Sequence, residues 1–304
     1  MTGGRPYAGA DDLRLMQVAV AGSIATTSLR VGDVAWLARH ATHRQLSLDI
    51  RIWDRDSGGM VGWTFFQTNG SFILFVASGH GDPTLIDEML DVIEDTGRAA
   101  VAAGDHLPSI HTYGIDPARS AEDRALAAAL EGRGFEPDPS STGGLLRRSL
   151  DSLPPPVVPA GYRLGPVDSP AQVLGRVEAH RAAFAPAALT LEKYERVRKT
   201  WPYRSELDRI TTTDDGMVVA FCTAWIDEQN ATGLLEPVGT HPDHQRRGLA
   251  SAVCLDALQA LRDAGARTAE VAFATEAALA TYRSIGFTLT SRDTDVFKSV
   301  DQLR

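Results

Sequence analysis

The sequence predicts an α/β protein made of two consecutive domains that repeat one pattern of strands and helices. Three observations carry this. A proline cluster, Pro154, Pro155, Pro156 and Pro159, divides the chain into near-equal parts, and clustered prolines favour an extended connector. Strand-like and helix-like stretches alternate in both parts. The run Leu130-Glu131-Gly132-Arg133-Gly134-Phe135 also matches Tyr282-Arg283-Ser284-Ile285-Gly286-Phe287, each reading as a helix that ends at a glycine before an aromatic strand start. The expected division is residues 1–150, a linker at 151–161, and residues 162–304.

In the first part, strands are expected over 48–53, 61–67 and 71–77, a helix over 83–95, a strand over 109–113 and a helix over 121–131. The second part begins with a strand over 162–167 and helices over 171–184 and 190–200. Strands over 208–212, 217–227 and 233–240 follow, then a helix over 248–264 and a strand over 268–273. A short helix over 276–284 precedes a last pair of strands over 287–298. The helix at 248–264 is the best defined. Ala250, Val253, Cys254, Ala257, Leu258 and Leu261 fall on one face, and Gly265 stands where it should stop.

The 304 residues suit two domains, and 43% hydrophobic with 23% charged residues fits a globular chain. A formal net charge of -9 argues against a nucleic-acid binder with a basic footprint. The two cysteines, Cys222 and Cys254, lie too far apart for a zinc site or disulfide framework and read as buried thiols. No apolar stretch reaches about 18 residues and the N-terminus lacks a signal-like run, so a cytoplasmic protein without a membrane partner is expected.

The chemistry concentrates between Leu235 and Ser251. An apolar strand leads into a basic loop, Asp243-His244-Gln245-Arg246-Arg247, and then through Gly248, Leu249 and Ala250 into a helix. A helix N-terminus offers unpaired N–H groups and positive potential, which suits a pyrophosphate. Pro237 removes a ladder donor from what should be an interior strand, so a bulge or a splayed strand is expected there. Backbone at Val238, Gly239 and Thr240 would then be open to a ligand with a peptide-like arm. A pyrophosphate joined to such an arm describes coenzyme A.

The segment from Val238 to Ala250 resembles motif A of the Gcn5-related N-acetyltransferases (GNAT), with Gln245, Gly248 and Ala250 at its signature positions. Downstream, the residues from Thr275 to Phe287 resemble that family's N-x-x-A-x-x-L-Y-x-x-x-G-F motif. The likeness covers residues 162–298 well. Over residues 1–150 it holds only for topology, and the two-domain arrangement is similar to tandem members such as mycothiol synthase. The resemblance implies, for each domain, a mostly antiparallel mixed sheet with flanking helices and a splayed strand pair beside the cofactor. It implies acetyl-CoA as co-substrate, with no metal. Val238 and Thr240 would hold the pantetheine arm, and the Val238 N–H would polarise the acetyl carbonyl. Amides of Gln245, Arg246, Arg247, Gly248, Leu249, Ala250 and Ser251 would hold the pyrophosphate. Tyr282 would protonate the leaving thiolate. Thr275 stands where asparagine is usual.

Direct transfer to an amine needs a base, and Glu236 is the candidate. A carboxylate among Leu234, Leu235 and Val238 is expected to be desolvated, which would raise it above the ordinary value of about 4.3. His241 and His244 are other possible bases. Asp227, Asp293 and Asp295 could line an amine pocket. In the first part, Asp82 and Pro83 read as the N-cap and first residue of the helix at 83–95. A carboxylate there opposes a pyrophosphate, and Leu130 replaces Tyr282, so a single active site is expected. The leading expectation is an N-acetyltransferase acting on a primary amine, small-molecule or peptide, as monomer or homodimer. A non-catalytic acyl-CoA-binding or regulatory protein is the alternative. A nucleotide-binding module fits less well, because Walker and Rossmann glycine patterns are lacking.

Overall fold

The computed structural model describes residues 3–39, 49–55, 58–186 and 189–303. Residue 48, the start of the first expected strand, lies outside them. In chain order the elements are β1 (Arg5–Pro6), α1 (Ala10–Gly22), α2 (Val31–Trp36), β2 (Ile50–Asp54), β3 (Met60–Phe66), β4 (Phe72–Val76), α3 (Pro83–Ala102), β5 (Ser109–Ile115), α4 (Ala121–Gly132) and β6 (Glu136–Pro137). Then follow β7 (Gly144–Ser149), β8 (Tyr162–Pro166), α5 (Pro170–Ala183), α6 (Leu191–Arg198), β9 (Asp208–Thr213), β10 (Val218–Asp227), β11 (Thr232–Thr240), α7 (Leu249–Asp263), β12 (Thr268–Phe273), α8 (Glu276–Ser284), β13 (Thr288–Arg292) and β14 (Thr294–Ser299). The expected strands and helices are present, each within a few residues except α3, which runs on to Ala102. Elements not foreseen are α1, α2, β1, β6 and β7.

Contacts group the chain into two compact units of non-contiguous segments. One comprises Met1–Leu29, Ala41–Gly144 and Ser291–Arg304; the other comprises Arg30–His40 and Leu145–Thr290. The first unit holds a sheet of order β1-β2-β3-β4 and another of order β5-β14-β6. Its core packs Phe66, Phe72, Ile86, Leu90, Ile93, Ile110 and Leu130. Helix α3 is capped by its own chain: the Asp82 carboxylate accepts from Thr84 N–H at 2.8 Å.

The second unit is built on one seven-stranded sheet of order β13-β7-β12-β11-β10-β9-β8. Every residue of β10 is buried, as befits a central strand covered on both faces. One face meets α7 through Val253, Cys254, Ala257, Leu258 and Leu261. The other meets α5, α6 and α2 through Phe221, Trp225, Val177, Tyr194 and Trp36. The last two strands, expected as a pair, part company: β13 lies beside β7, while β14 pairs with β5 and β6. The predicted glycine caps are present in both halves. Gly134 and Gly286 take positive φ, 79° and 88°, and the following aromatic N–H returns to the carbonyl of Leu130 or Tyr282 at 3.0 and 3.1 Å.

Candidate active site

Strand β11 follows β10 along its length but leaves β12 early. Parallel pairing with β12 covers Thr232, Gly233 and Leu234, and ends at the rung Leu234–Glu270. Against β10 the register passes from Ala224–Leu235 to Cys222–Val238, so Glu236 and Pro237 together oppose Thr223. This is the bulge that a strand proline demands. His241 N–H bonds the Val219 carbonyl at 2.8 Å. Alternation along the antiparallel pair therefore turns Gly239 toward β10, and Val238 and Thr240 present their backbone groups to the side that β12 has vacated. Gly239 has to be glycine: a Cβ would stand 2.3 Å from Phe221 Cζ and 3.0 Å from Ala183 Cβ. The Thr240 hydroxyl is buried without a hydrogen-bond partner in the protein.

The chain then turns through Pro242–His244 and reaches α7 by two left-handed residues, Arg246 at φ 58° and Gly248 at φ 79°. No side chain caps α7 at Gly248. The first intrahelical bond runs from Ala252 N–H to the Gly248 carbonyl at 3.0 Å, so Leu249, Ala250 and Ser251 N–H groups have no helical acceptor. Gln245, Arg246, Arg247 and Gly248 are exposed around them. Nothing lies within 4 Å of where a Gly248 Cβ would be, which leaves the approach open. Braces hold the loop. Arg247 donates to Tyr162 Oη at 2.9 Å and to the Asp243 carbonyl at 3.2 Å, and Tyr162 Oη lies 3.0 Å from His244 Nδ1. Gln245 Nε2 reaches the Thr240 carbonyl at 3.4 Å. An uncapped helix start, an open strand edge and an orphaned threonine hydroxyl fit a pyrophosphate on a peptide-like arm.

Tyr282 is buried on α8, its ring edge-on to Phe287 with centroids 6.1 Å apart. Burial pushes its phenol well above 10, and the negative charge of Glu236 adds to this. The hydroxyl is therefore a proton donor across the ordinary pH range. Both cysteines are buried thiols, as expected. Thr275 caps α8, its hydroxyl accepting from Ala278 N–H at 3.2 Å. Glu236 is half-buried, and its carbonyl accepts from Trp225 Nε1 at 2.5 Å. Two of the three acidic residues considered for an amine pocket have partners of their own. Asp227 accepts from Asn230 Nδ2 at 2.6 Å, and Asp293 is paired with Arg119 at 2.8 Å within the first unit.

One group at the site was not foreseen. Helix α2 packs on β10 and β11 with Gly32 flat on the Trp225 ring, where a Cβ would come within 2.4 Å of Cγ. The next residue, Asp33, brings its carboxyl within hydrogen-bond reach of the Glu236 carboxyl. Arg30 N–H donates to Asp33 Oδ2 at 2.6 Å. Burial raises Asp33 well above the carboxylate range, the Glu236 charge and hydrogen bond raise it further, and Arg30 opposes them. Arg30 itself is ion-paired with Glu270, which Arg147 also approaches at 3.3 Å. Nothing in the local sequence marks Asp33, because its partner lies in the other half of the chain.

Residues 177–287 match the acetyltransferase (GNAT) family. The second half of the chain carries a GNAT domain. The match spans the bulged strand, the loop, α7 and α8, so the geometry above is that of a GNAT domain, and an acyltransferase is the class of enzyme it supports. The fold of the whole chain is that of tandem GNAT proteins. A tandem GNAT protein from the clavulanic acid biosynthesis pathway superposes with a TM-score of 0.64 at 19% identity, covering 99% of both chains. A GCN5-related N-acetyltransferase from Sphaerobacter thermophilus superposes with a TM-score of 0.63 at 17% identity, covering 97% of this chain and 95% of that one. One from Kribbella flavida gives 0.55 at 19% identity, covering 87% and 95%. At these identities the likeness is one of fold. No curated protein sequence matches the chain. Among the described residues no helix is long and apolar enough to cross a membrane, and no cluster of side chains is arranged to hold a metal ion.

Proposed function

We propose that the chain is an acetyl-CoA-dependent N-acetyltransferase that transfers directly to a primary amine, with its active site in the GNAT domain. The observation that carries this reading is the continuity of the open β11 edge at Val238–Thr240 with the uncapped start of α7. Val238 and Thr240 backbone would hold the pantetheine arm, with Gly239 keeping the strand close to β10. Amides from Gln245 to Ser251 would hold the pyrophosphate, with Arg246 adding charge and Arg247 bracing the loop. Thr275, committed to capping α8, would contribute position rather than a side-chain bond.

Acetyl-CoA supplies the acetyl group as a thioester. The Val238 N–H points to the side where the acetyl carbonyl would lie and would stabilise the oxyanion. Glu236 would accept the amine proton, and the neutral Tyr282 would give a proton to the departing sulfur. In the first unit, Asp82 fills the corresponding helix start and Leu130 replaces the tyrosine, so that unit is assigned no acetyl-CoA. The acceptor is a small-molecule or peptide amine, and neither nucleic acid nor membrane is a partner in this reading.

Free-thiol release from acetyl-CoA with a panel of primary amines tests the proposal. At least one amine should accelerate release, and Glu236→Gln should lower kcat/KM about a hundredfold. Acetyl-CoA binding without amine-stimulated release by any member of the panel would favour a non-catalytic acyl-CoA-binding protein instead.

A further inference from the structure

Asp33 reaches the site from outside the GNAT motifs, and the structure fixes it there at two points. Gly32 seats α2 against Trp225, and the same indole donates to the Glu236 carbonyl at 2.5 Å, so one ring holds both carboxyl-bearing segments. Arg30 anchors the start of α2 to Glu270, at the last rung before β11 and β12 part. Between these points the Asp33 and Glu236 carboxyls lie within hydrogen-bond reach of each other. Two carboxyl groups can share a hydrogen bond only when one carries a proton, since an ionised carboxylate has nothing to donate.

We propose that Asp33 is a positioning residue for Glu236: it keeps the single proton of the pair, donates it in a hydrogen bond, and holds Glu236 ionised and oriented as acceptor for the amine proton. This rests on Glu236 being the base. Burial and the Glu236 charge both hold the proton on Asp33, consistent with that division of labour. During transfer the amine nitrogen bonds to the acetyl carbon and the carbon–sulfur bond breaks. The nitrogen's proton passes to Glu236, the Tyr282 proton passes to sulfur, and Asp33 keeps its own. Return of the Glu236 proton to Tyr282 through solvent restores the starting state.

A difference infrared spectrum of the full-length protein at neutral pH, wild type minus Asp33→Asn, tests the proton directly. The carboxylic-acid C=O band should appear in the wild type and vanish in the variant; no change in that band overturns the proposal. The rates test the role. Asp33→Asn still donates through its amide and should keep kcat within about threefold, whereas Asp33→Ala should lose about tenfold or more. An Asp33→Ala enzyme as fast as wild type, beside an inactive Glu236→Gln, overturns the partnership while leaving Glu236 as base. A fully active Glu236→Gln overturns the base assignment itself. Should Asp33→Ala not fold, the near-isosteric Asp33→Asn still decides through the infrared band.

Discussion

Burial sets the protonation of single side chains in the GNAT domain. Tyr282 stays neutral because its surroundings penalise the phenolate. Tyr282→Phe removes only the hydroxyl and should cut kcat about a hundredfold, with little change in melting temperature. Turnover of acetyl-CoA checks it, and unchanged kcat would remove Tyr282 from the chemistry. His180 behaves oppositely. Burial, with the charges of Arg176 and Arg39, pushes it down to about 3 from 6.5. The unfolded chain therefore takes up a proton below about pH 6.5 that the folded protein refuses, so this contribution is present above pH 6.5 and lost as pH falls toward 3. His180→Phe should lose less stability on acidification, by on the order of 4 kcal/mol across that window. Denaturant melts at several pH values measure the difference. Glu236 and Tyr282 stand out as candidates in the sequence because each breaks a local rule or sits in a motif. Asp33 does not, since an aspartate in a short segment becomes significant only through a partner that folding brings to it.

Among the elements, the run from β11 into α7 was the most readable, because Pro237, Gly239 and Gly248 each report a backbone constraint. Gly248 at φ 79° gives a direct check. Gly248→Ala should cost about 1–2 kcal/mol of stability through left-handed strain and weaken acetyl-CoA binding. Calorimetry of folding and of binding measures both effects. Helix α2 was invisible: Val31–Trp36 is too short to show a helical period. Its seat on Trp225 predicts that Gly32→Ala destabilises the protein by about 1–3 kcal/mol, because a methyl at 2.4 Å from the ring must push α2 or the indole aside. A Gly32→Ala variant melting like wild type would contradict that packing. Strand β7 was missed for another reason. Gly144, Leu145 and Leu146 are buried in succession, which erases the alternation that marks a half-buried strand.

At the scale of the molecule, the proline cluster lies in a stretch without helix or strand, and contacts do not divide the chain there. Strand β7 lies before it and completes the seven-stranded sheet, while β14 lies near the C-terminus and sits between β5 and β6. Chain order is visible in a sequence; long-range strand pairing is not. A fragment of residues 151–304 would lack α2 and β7, leaving β12 and β13 without their shared neighbour, and should give no cooperative melt by circular dichroism. A cooperative melt from that fragment would show that the borrowed segments are dispensable. The central claim is that the open β11 edge and the uncapped α7 form one acyl-CoA cradle, and acetyl-CoA titrated into the full chain during thermal unfolding tests it most directly. At a hundredfold excess over Kd, acetyl-CoA should stabilise the fold by about 2.7 kcal/mol and raise Tm by several degrees. A Tm that does not move at any acetyl-CoA concentration would contradict the account.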